Sequence, residues 1–586
     1  TVEDGLLRLE SQLSDVDPDY IYMLIAYEDK RFRSHAGVDP LAIIRAAAQS
    51  LWHGKVISGA STMTMQTARL LEQSGTGAWS GKLRQIRVAL ALERRLSKDE
   101  ILTLYLNRAP YGGNIEGLRS ASLAYFAKEP TRLTAAEAAL LVALPQAPET
   151  RRPDRAVAQA TAARARVLER ASISPDAQRA ALSDPVPTIR RAIPQIAPHL
   201  TDRLRAAAPL APTHHLTLDA ALQQRLTILA RKALHGQDPQ MSIAILVADH
   251  HNGDILASVG SARYAADGRA GFVDMTRAIR SPGSTLKPLI YGMAFDNGLA
   301  HPETLISDRP TQFGTYAPQN FDGLYRGELR VRDALQLSLN IPVVALSERL
   351  GPHRIYAKMR LAGMQPDLPG TSPGLALALG GVGVSLYDLV QLYAGLAQRG
   401  RAPSLRVKTD TNLVPKPRIL QPEAAWHVSD SLAGLRPPTG QEPGQVAFKT
   451  GTSYGHRDAW AIGYDGAHVI GVWMGRPEGT PVPGAFGGDL AAPILFEAFD
   501  HIAPKRTALP PPPPATLIVS GAQLPTPLQR FYRAPLRTNA PIVAFPPNGA
   551  VLENAQTLTL KIREGQAPFT VLLNGEPVQS GAHDRD

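Results

Sequence analysis

The chain has 586 residues, more than a single hydrophobic core organises, so about two to four domains are expected. With 44% hydrophobic and 19% charged residues it is built to fold, and with no cysteine it holds no disulfide, thiolate metal site or cysteine nucleophile. A formal charge of +10 favours an anionic partner, but the basic residues are scattered and neither zinc-finger spacing nor an RNA-recognition aromatic pattern occurs, so no nucleic acid is expected and a membrane-associated anionic substrate fits better.

Residues 1–150 read as a compact, mainly α domain, with periodic apolar positions in DPDYIYMLIAYEDKRF, GKLRQIRVALALERRLSKDEILTLYLN and LTAAEAALLVALPQAP. From 151 to 235 the composition turns to Ala and Arg with Pro breaks, which predicts short helices in a linker region. At MSIAILVADHHNGDILASVG the period changes to that of strands around a turn at Asn252 and Gly253, with His250 and His251 expected at the surface. An αβ domain is therefore expected over 236–505, closing with two strands around Asp465 and Gly466. Pro510 to Pro514 form a stiff spacer. Beyond it, TLTLKI alternates strictly and FTVLLNGEPVQ holds a hairpin turn at Asn574 and Gly575, which predicts a small β-sandwich-like domain over 515–586. No apolar run approaches the roughly 18 residues that span a bilayer, and the first residue is Thr1 rather than Met, so an anchoring helix is expected upstream of this sequence.

The chemistry concentrates first in RSPGSTLKPL, residues 280–289. A serine hydroxyl is a poor nucleophile until a base takes its proton, and a lysine serves as that base only when its ammonium is destabilised. Ser284 and Lys287 stand at i and i+3, on one face of a helix that Pro282-Gly283 would start. Alone this tetrapeptide is most often an exposed helix start. Downstream, however, come SLN (Ser338 to Asn340) and KTGTS (Lys449 to Ser453), in order and in the same αβ segment. A second ammonium at Lys449 would lower the pKa of a neighbouring lysine, Ser338 can relay a proton to a leaving amine, and Asn340 can orient the lysine or a substrate amide. Gly451 would let the strand backbone approach substrate, with Thr450 beside it and Thr452 placed to bind a carboxylate.

This ordered triple is shared by β-lactamases and penicillin-binding proteins. With TLDAALQQ at 217–224 and KTGTSYGHRDAWAIGY, it resembles the penicillin-binding transpeptidase family over the αβ segment. The glycines of ALGGVGVSLYDL read as a turn, lacking the strand and helix of a nucleotide loop. In the helical half, YEDKRFRSHAGVD, GASTMTMQ, KLRQIRVALALE and KDEILTLYLNRAPYGG resemble in order the motifs of the family 51 peptidoglycan glycosyltransferases, the partner domain of class A penicillin-binding proteins.

The resemblance implies a lysozyme-like glycosyltransferase domain that polymerises lipid II at the periplasmic face of the bacterial inner membrane. It also implies a DD-transpeptidase that cross-links stem peptides of nascent peptidoglycan through an acyl ester on Ser284. Inversion at the anomeric carbon needs one base for the acceptor hydroxyl, which points to Glu28. The departing pyrophosphate needs cations rather than an acid, and Lys82 and Arg69 stand where the family keeps basic residues, with a divalent metal, Mg or Mn, as a further candidate. Asp29, His35, Ser61, Thr62, Gln66 and Gln85 complete the expected substrate-binding set, with His35 holding Glu28 or its loop. Two departures from the family pattern stand out: Met65 replaces a usual Gln, and Gln85 replaces a usual Glu, an amide that can neither act as a base nor bind a metal strongly. β-Lactams at Ser284 and moenomycin at the glycosyltransferase site are the implied inhibitors, and a protein partner is a candidate for the C-terminal domain. The rival readings are a hydrolytic carboxypeptidase or β-lactamase, and a scaffold whose serine site binds penicillin without turnover.

Overall fold

The computed structural model describes residues 5–42, 44, 61–72, 79–171, 173–193, 195–211, 213–401, 403–412, 414, 417–532, 541–546, 550, 557–573 and 576–583. Two compact units divide the chain, Thr1–Gln195 and Ile196–Asp586.

In the first unit, helix α1 (Pro18–Glu28) starts at Asp17, whose carboxylate accepts the Asp19 N–H, with Pro18 at its first position. It is followed by α2 (Met63–Glu72), α3 (Trp79–Glu93) and α4 (Lys98–Arg108). Ser97 and Glu100 cap α4 reciprocally, and Thr134 and Glu137 do the same for α5 (Ala135–Ala143). Tyr20, Leu24, Ile101, Tyr105, Leu140 and Leu141 share one buried core.

The boundary expected at 150 is corrected by packing. Helix α6 (Val157–Arg170) carries Ala160, Ala163, Val167 and Leu168 on one helical stripe, and these lie in the same core as α1. Small alanines let α6 approach α5 closely, so an Ala- and Arg-rich stretch that reads as a spacer is part of the domain. The other half of the expected linker, with helices Pro198–Ala207 and Ala220–Ala233, falls in the second unit.

The second unit is built on a five-stranded sheet of β1 (Ser242–Asp249), β2 (Ile255–Val259), β3 (Ala447–Thr452), β4 (Asp458–Tyr464) and β5 (His468–Gly475), ordered β2-β1-β5-β4-β3 and antiparallel throughout. Alternation splits each strand between two cores. Ala244, Leu246, Trp460, Ile462 and Trp473 face a large helical layer, whereas Ile243, Ile245, Ala459, Ala461 and Val472 face helices Ala220–Ala233 and Ala492–Ile502. On β3 the same period puts Ala447 and Phe448 on opposite faces, so Lys449 and Gly451 share the face of Ala447 with the helical layer. Helix α7 (Lys287–Asp296) lies buried in that layer.

His250 is buried rather than at the surface: its Nε2 and that of His251 bond the Asp465 and Gly466 carbonyls, and Gln398 Nε2 donates to both Nδ1 atoms. These contacts pin the β1–β2 turn against the β4–β5 turn.

The tail differs from expectation at both ends. Past the proline run the chain returns to the second unit: Thr304 Oγ1 donates to Leu528 O at 2.6 Å, and Phe531 N–H donates to Leu305 O at 2.8 Å. Residues 515–531 are thus bonded to the αβ domain rather than to a separate module. Further on, the described residues form two antiparallel pairs, Ile542–Phe545 with Lys561–Arg563 and Phe569–Leu573 with Glu576–Ala582, and no sandwich joins them among the described residues. The turn expected at Asn574 and Gly575 lies outside the described residues, as do Gly59 and Ala60 of the GASTMTMQ stretch. Among the described residues no helix is long and apolar enough to cross a membrane.

Candidate active sites

In the second unit Ser284 sits in a short 3-10 turn, Gly283–Leu286, whose last N–H, that of Lys287, donates to Ser284 O before α7 begins. The sequence pattern suggests an α-helical start. The tighter turn strengthens its consequence, because residues i and i+3 eclipse in a 3-10 helix and Ser284 and Lys287 fall on one side. The turn is wedged against β3. A Cβ on Gly451 would lie 2.7 Å from both Pro282 O and Thr285 Cγ2, and one on Gly283, at φ +53°, would lie 2.5 Å from Thr452 O. The glycine expected to admit substrate therefore admits the serine turn.

Lys287 is wholly buried and Lys449 is 1% exposed. Lys287 Nζ donates to Ser338 O at 2.5 Å, Leu339 O at 3.2 Å and Asn340 Oδ1 at 2.8 Å, with Ser338 Oγ at 3.4 Å. Lys449 Nζ donates to Ser338 Oγ at 2.9 Å and Thr450 O at 2.9 Å. Two ammonium groups out of water on one serine cannot both stay charged cheaply. Burial, and then the charge of Lys449, holds Lys287 well below the ordinary lysine range, while burial pushes Lys449 down to about 7. Ser338 itself is held at φ +57°, in the left-handed region that non-glycine residues enter at a cost.

No hydrogen bond runs from Lys287 to Ser284. The serine instead faces a cavity of about 1090 Å³ that it lines with Ser338, Asn340, Thr450, Gly451 and Thr452. Thr452 Oγ1 also accepts the Gly487 N–H at 3.2 Å, which leaves its own proton for a ligand. Phe321, His456 and Phe486 meet edge to face at the cavity, with centroids 4.8–5.5 Å apart.

In the first unit Glu28 ends α1, half-buried, and both its oxygens are held by amides: Gln66 Nε2 donates to Oε2 at 2.9 Å and Gln146 Nε2 to Oε1 at 2.7 Å. Burial raises its pKa above the usual carboxylate value, and the two amides with Arg151 and Arg170 pull it part of the way back. Gln146, in ALLVALPQAP, is a contact that sequence reasoning missed. Its carbonyl accepts from Arg151 Nη1 at 3.1 Å, which fixes which end of the amide meets Glu28.

Asp29 points elsewhere. Its Oδ2 accepts from His35 Nε2 at 2.9 Å and from the Met63 N–H at 2.9 Å, at the start of α2. The Gly37 N–H donates to His35 Nδ1 at 3.1 Å, which leaves the ring proton on Nε2, facing Asp29. His35 therefore bonds Asp29 and not Glu28. Thr62 donates to Gly37 O at 2.5 Å and accepts the Met65 N–H at 3.2 Å, tying the same loop to α2, with Ser61 half-buried beside it. Arg69 is half-buried, Gln85 is buried on α3, and Lys82 is exposed on α3; none of them bonds Glu28. The tyrosines Tyr20, Tyr105 and Tyr111 lie in the core beneath, and the Tyr105 hydroxyl has no hydrogen-bond partner among the described residues.

These residues do not fit a divalent ion. Among the described residues no three His, Cys, Asp or Glu side chains stand together. Both oxygens of Glu28 face amide donors, and Gln85 brings no negative charge, so no step is routed through a metal.

The Transglycosylase family model matches residues 5–172 and the penicillin binding protein transpeptidase domain model residues 243–498. The chain is 43% identical over 527 residues to penicillin-binding protein 1C of Escherichia coli (strain K12), covering 88% of this chain and 68% of that protein. It belongs to the class A penicillin-binding proteins. Class A members pair the two domains, and the chain is accordingly a bifunctional enzyme, a peptidoglycan glycosyltransferase and a transpeptidase. Penicillin-binding protein 1B of Vibrio cholerae is 30% identical over 545 residues, 83% of this chain and 68% of that one. The crystal structure of penicillin-binding protein 1A from Haemophilus influenzae superposes with a TM-score of 0.51 over 87% of this chain and 91% of that chain at 16% identity, a likeness of fold. The match to 172 places α6 inside the transglycosylase region, in agreement with its packing.

Proposed function

We propose that Ser284 is the nucleophile of the transpeptidase and Glu28 the base of the glycosyltransferase. The observation that carries the serine site is the convergence of two buried, pKa-lowered lysines on Ser338 beside the cavity that Ser284 lines.

Neutral Lys287, one 3-10 turn from Ser284, takes the hydroxyl proton as the oxygen attacks the carbonyl of the penultimate D-alanine of a stem peptide. The proton passes by Ser338 Oγ to the leaving amine, D-alanine departs, and an ester remains on Ser284. An amine of a neighbouring stem then attacks that ester, gives up a proton and restores the hydroxyl. Asn340 orients Lys287, while Thr450 and Thr452, along the edge of β3, receive the stem backbone and its carboxylate. A β-lactam would acylate the same oxygen.

At Glu28, the carboxylate takes the proton of the acceptor sugar hydroxyl as that oxygen displaces the lipid pyrophosphate of the donor, with inversion. Raised basicity suits it to the task, since a carboxylate at its ordinary pKa is a weak base. Arg151 and Arg170 supply positive potential, with Arg69 and Lys82 assigned to the pyrophosphate of lipid II. Asp29, His35, Ser61, Thr62, Gln66 and Gln85 shape the sugar and phosphate subsites, and moenomycin competes there. A membrane address at the periplasmic face suits a lipid-linked substrate, and the exposed Tyr22, Leu41, Ile44 and Leu83 of the first unit support contact with a bilayer. The exposed Ile542, Val543, Phe545, Leu572 and Leu573 support a protein partner for a C-terminal β domain.

Polymerisation and cross-linking of lipid II, assayed with moenomycin and a β-lactam as separate inhibitors, tests both assignments. Moenomycin should stop both reactions, and the β-lactam only cross-linking. Labelling of Ser284 by penicillin without any cross-linked product would favour the scaffold, and release of D-alanine without cross-links the carboxypeptidase.

A further inference from the structure

Lys287 is held by groups that would not stand where they do without a second polar layer. Asn340 presents Oδ1 to Lys287 because the other end of its amide, Nδ2, donates to Gln319 O at 2.7 Å, while its backbone N–H donates to Asn320 Oδ1 at 2.7 Å. Asn320 is itself oriented. Its Nδ2 donates to both carboxylate oxygens of Asp308 at 2.9 Å and to Leu324 O at 2.8 Å, so only its carbonyl oxygen is left to face Asn340.

Asp308 is wholly buried and Asn320 is 5% exposed. Asp308 ends strand Leu305–Asp308, paired with Gly327–Arg330, and its second tie is the Arg326 N–H at 2.8 Å. The end of a paired strand therefore carries a buried carboxylate, the carboxylate fixes an amide, and the amide fixes the turn whose carbonyls and side chain receive Lys287. That turn includes Ser338 in its unfavourable left-handed conformation, which persists only where its surroundings over-determine it.

We infer that Asn320, clamped by Asp308, is a positioning residue for the transpeptidase: it holds the Ser338–Asn340 turn in the geometry that keeps Lys287 and Lys449 on the serine relay. This rests on the reading of Ser284 and Lys287 given above. Asn320 touches neither Lys287 nor Ser284, so its effect passes through Asn340. A loosened turn lets Asn340 and Ser338 drift, and misplacement by about 1 Å in such a site costs on the order of a hundredfold in rate. Asn320 also lines the cavity, but its amide is taken up by Asp308, Leu324 O and the Asn340 N–H rather than offered to a ligand, so the larger loss falls on the rate and not on first binding.

The test is the concentration dependence of acylation by a fluorescent penicillin on the full chain, which separates the non-covalent binding constant from the acylation rate constant. Asn320→Ala should lower the rate constant about a hundredfold with the binding constant little changed. The double variant Asp308→Asn with Asn320→Asp restores an acceptor for the Asn340 N–H and a donor beside it, and should recover most of the rate that Asn320→Asp alone loses. An unchanged rate constant in Asn320→Ala overturns the inference, as does a loss matched by its unfolded fraction in a melting curve. Should Asn320→Ala fail to fold, Asn320→Asp and the double variant are judged by the same split, and an absence of recovery counts against the clamp. Undiminished labelling of Ser284→Ala would overturn the underlying reading instead, and that outcome is separate from any result at Asn320.

Discussion

Lys449 and Ser338 are joined by a hydrogen bond from Nζ to Oγ at 2.9 Å, which ties the edge strand β3 to the turn between helices Val331–Gln336 and Asn340–Leu350. Because Lys287 donates to the carbonyl of the same serine, one residue in a strained conformation receives both buried amines. The arrangement destabilises a second positive charge, which is the condition for a lysine to act as a base.

Acylation should therefore depend on pH on its acid side. A base works only when neutral, and Lys449 lies at about 7 with Lys287 well below the usual lysine range. Penicillin acylation rates should fall on the acid side, below the ordinary lysine range, as Lys287 takes up its proton, measured by stopped labelling across pH on the full chain. A flat profile would mean that neither amine carries the proton.

Stability should show the opposite side of the same linkage. The unfolded chain holds a proton on Lys449 up to about 10.4, whereas the folded protein releases it at about 7, so protons favour unfolding and stability rises with pH between the two. Lys449→Met removes this penalty. It should raise stability by about 1–3 kcal/mol at pH below 7, with the gain shrinking toward pH 10, in urea unfolding followed at both ends of that range.

Gly451→Ala should push the serine turn off β3. The added Cβ would lie 2.7 Å from the carbonyl of Pro282, a backbone atom that cannot swing aside. A loss of about 1–3 kcal/mol in thermal unfolding is expected, together with slowed penicillin labelling in the fraction that stays folded. A stable variant with unaltered labelling would show that the turn has room to move.

For the glycosyltransferase, Gln146→Ala removes a donor that lowers the pKa of Glu28. With burial left unopposed on that side, the carboxyl pKa rises further, and the acid limb of the polymerisation profile should move to higher pH. Glu28→Gln should abolish polymerisation, by about 10²–10⁴-fold, and leave penicillin labelling intact. Polymerisation at the native rate in Glu28→Gln would remove the carboxylate from the reaction.

The two halves of the protein were unequally legible. On β3, alternation alone puts Lys449 and Gly451 on one face, and the i, i+3 spacing alone puts Ser284 and Lys287 on one side. Neither says what stands opposite. The crowding at Gly451 comes from Pro282 and Thr285, and the amide that holds Asn340 comes from residue 320, a loop that carries no periodic signal. The Ala-rich α6 misled for a related reason: alanine stripes bury little area and read as polar spacers, yet they pack where a neighbour offers a matching groove. His35 could be assigned to the Glu28 loop, but its choice of Asp29 depends on how that loop folds back to α2.

The sequence by itself determined which chemical groups this protein carries and which local faces they occupy, because strand and helix periods are properties of the backbone. Only the tertiary structure decided that two lysines 162 positions apart share one serine hydroxyl's surroundings, and that Glu28 is held between Gln66 and Gln146. Burial and charge proximity shift a pKa through space, and distance through space is fixed by packing rather than by position along the chain.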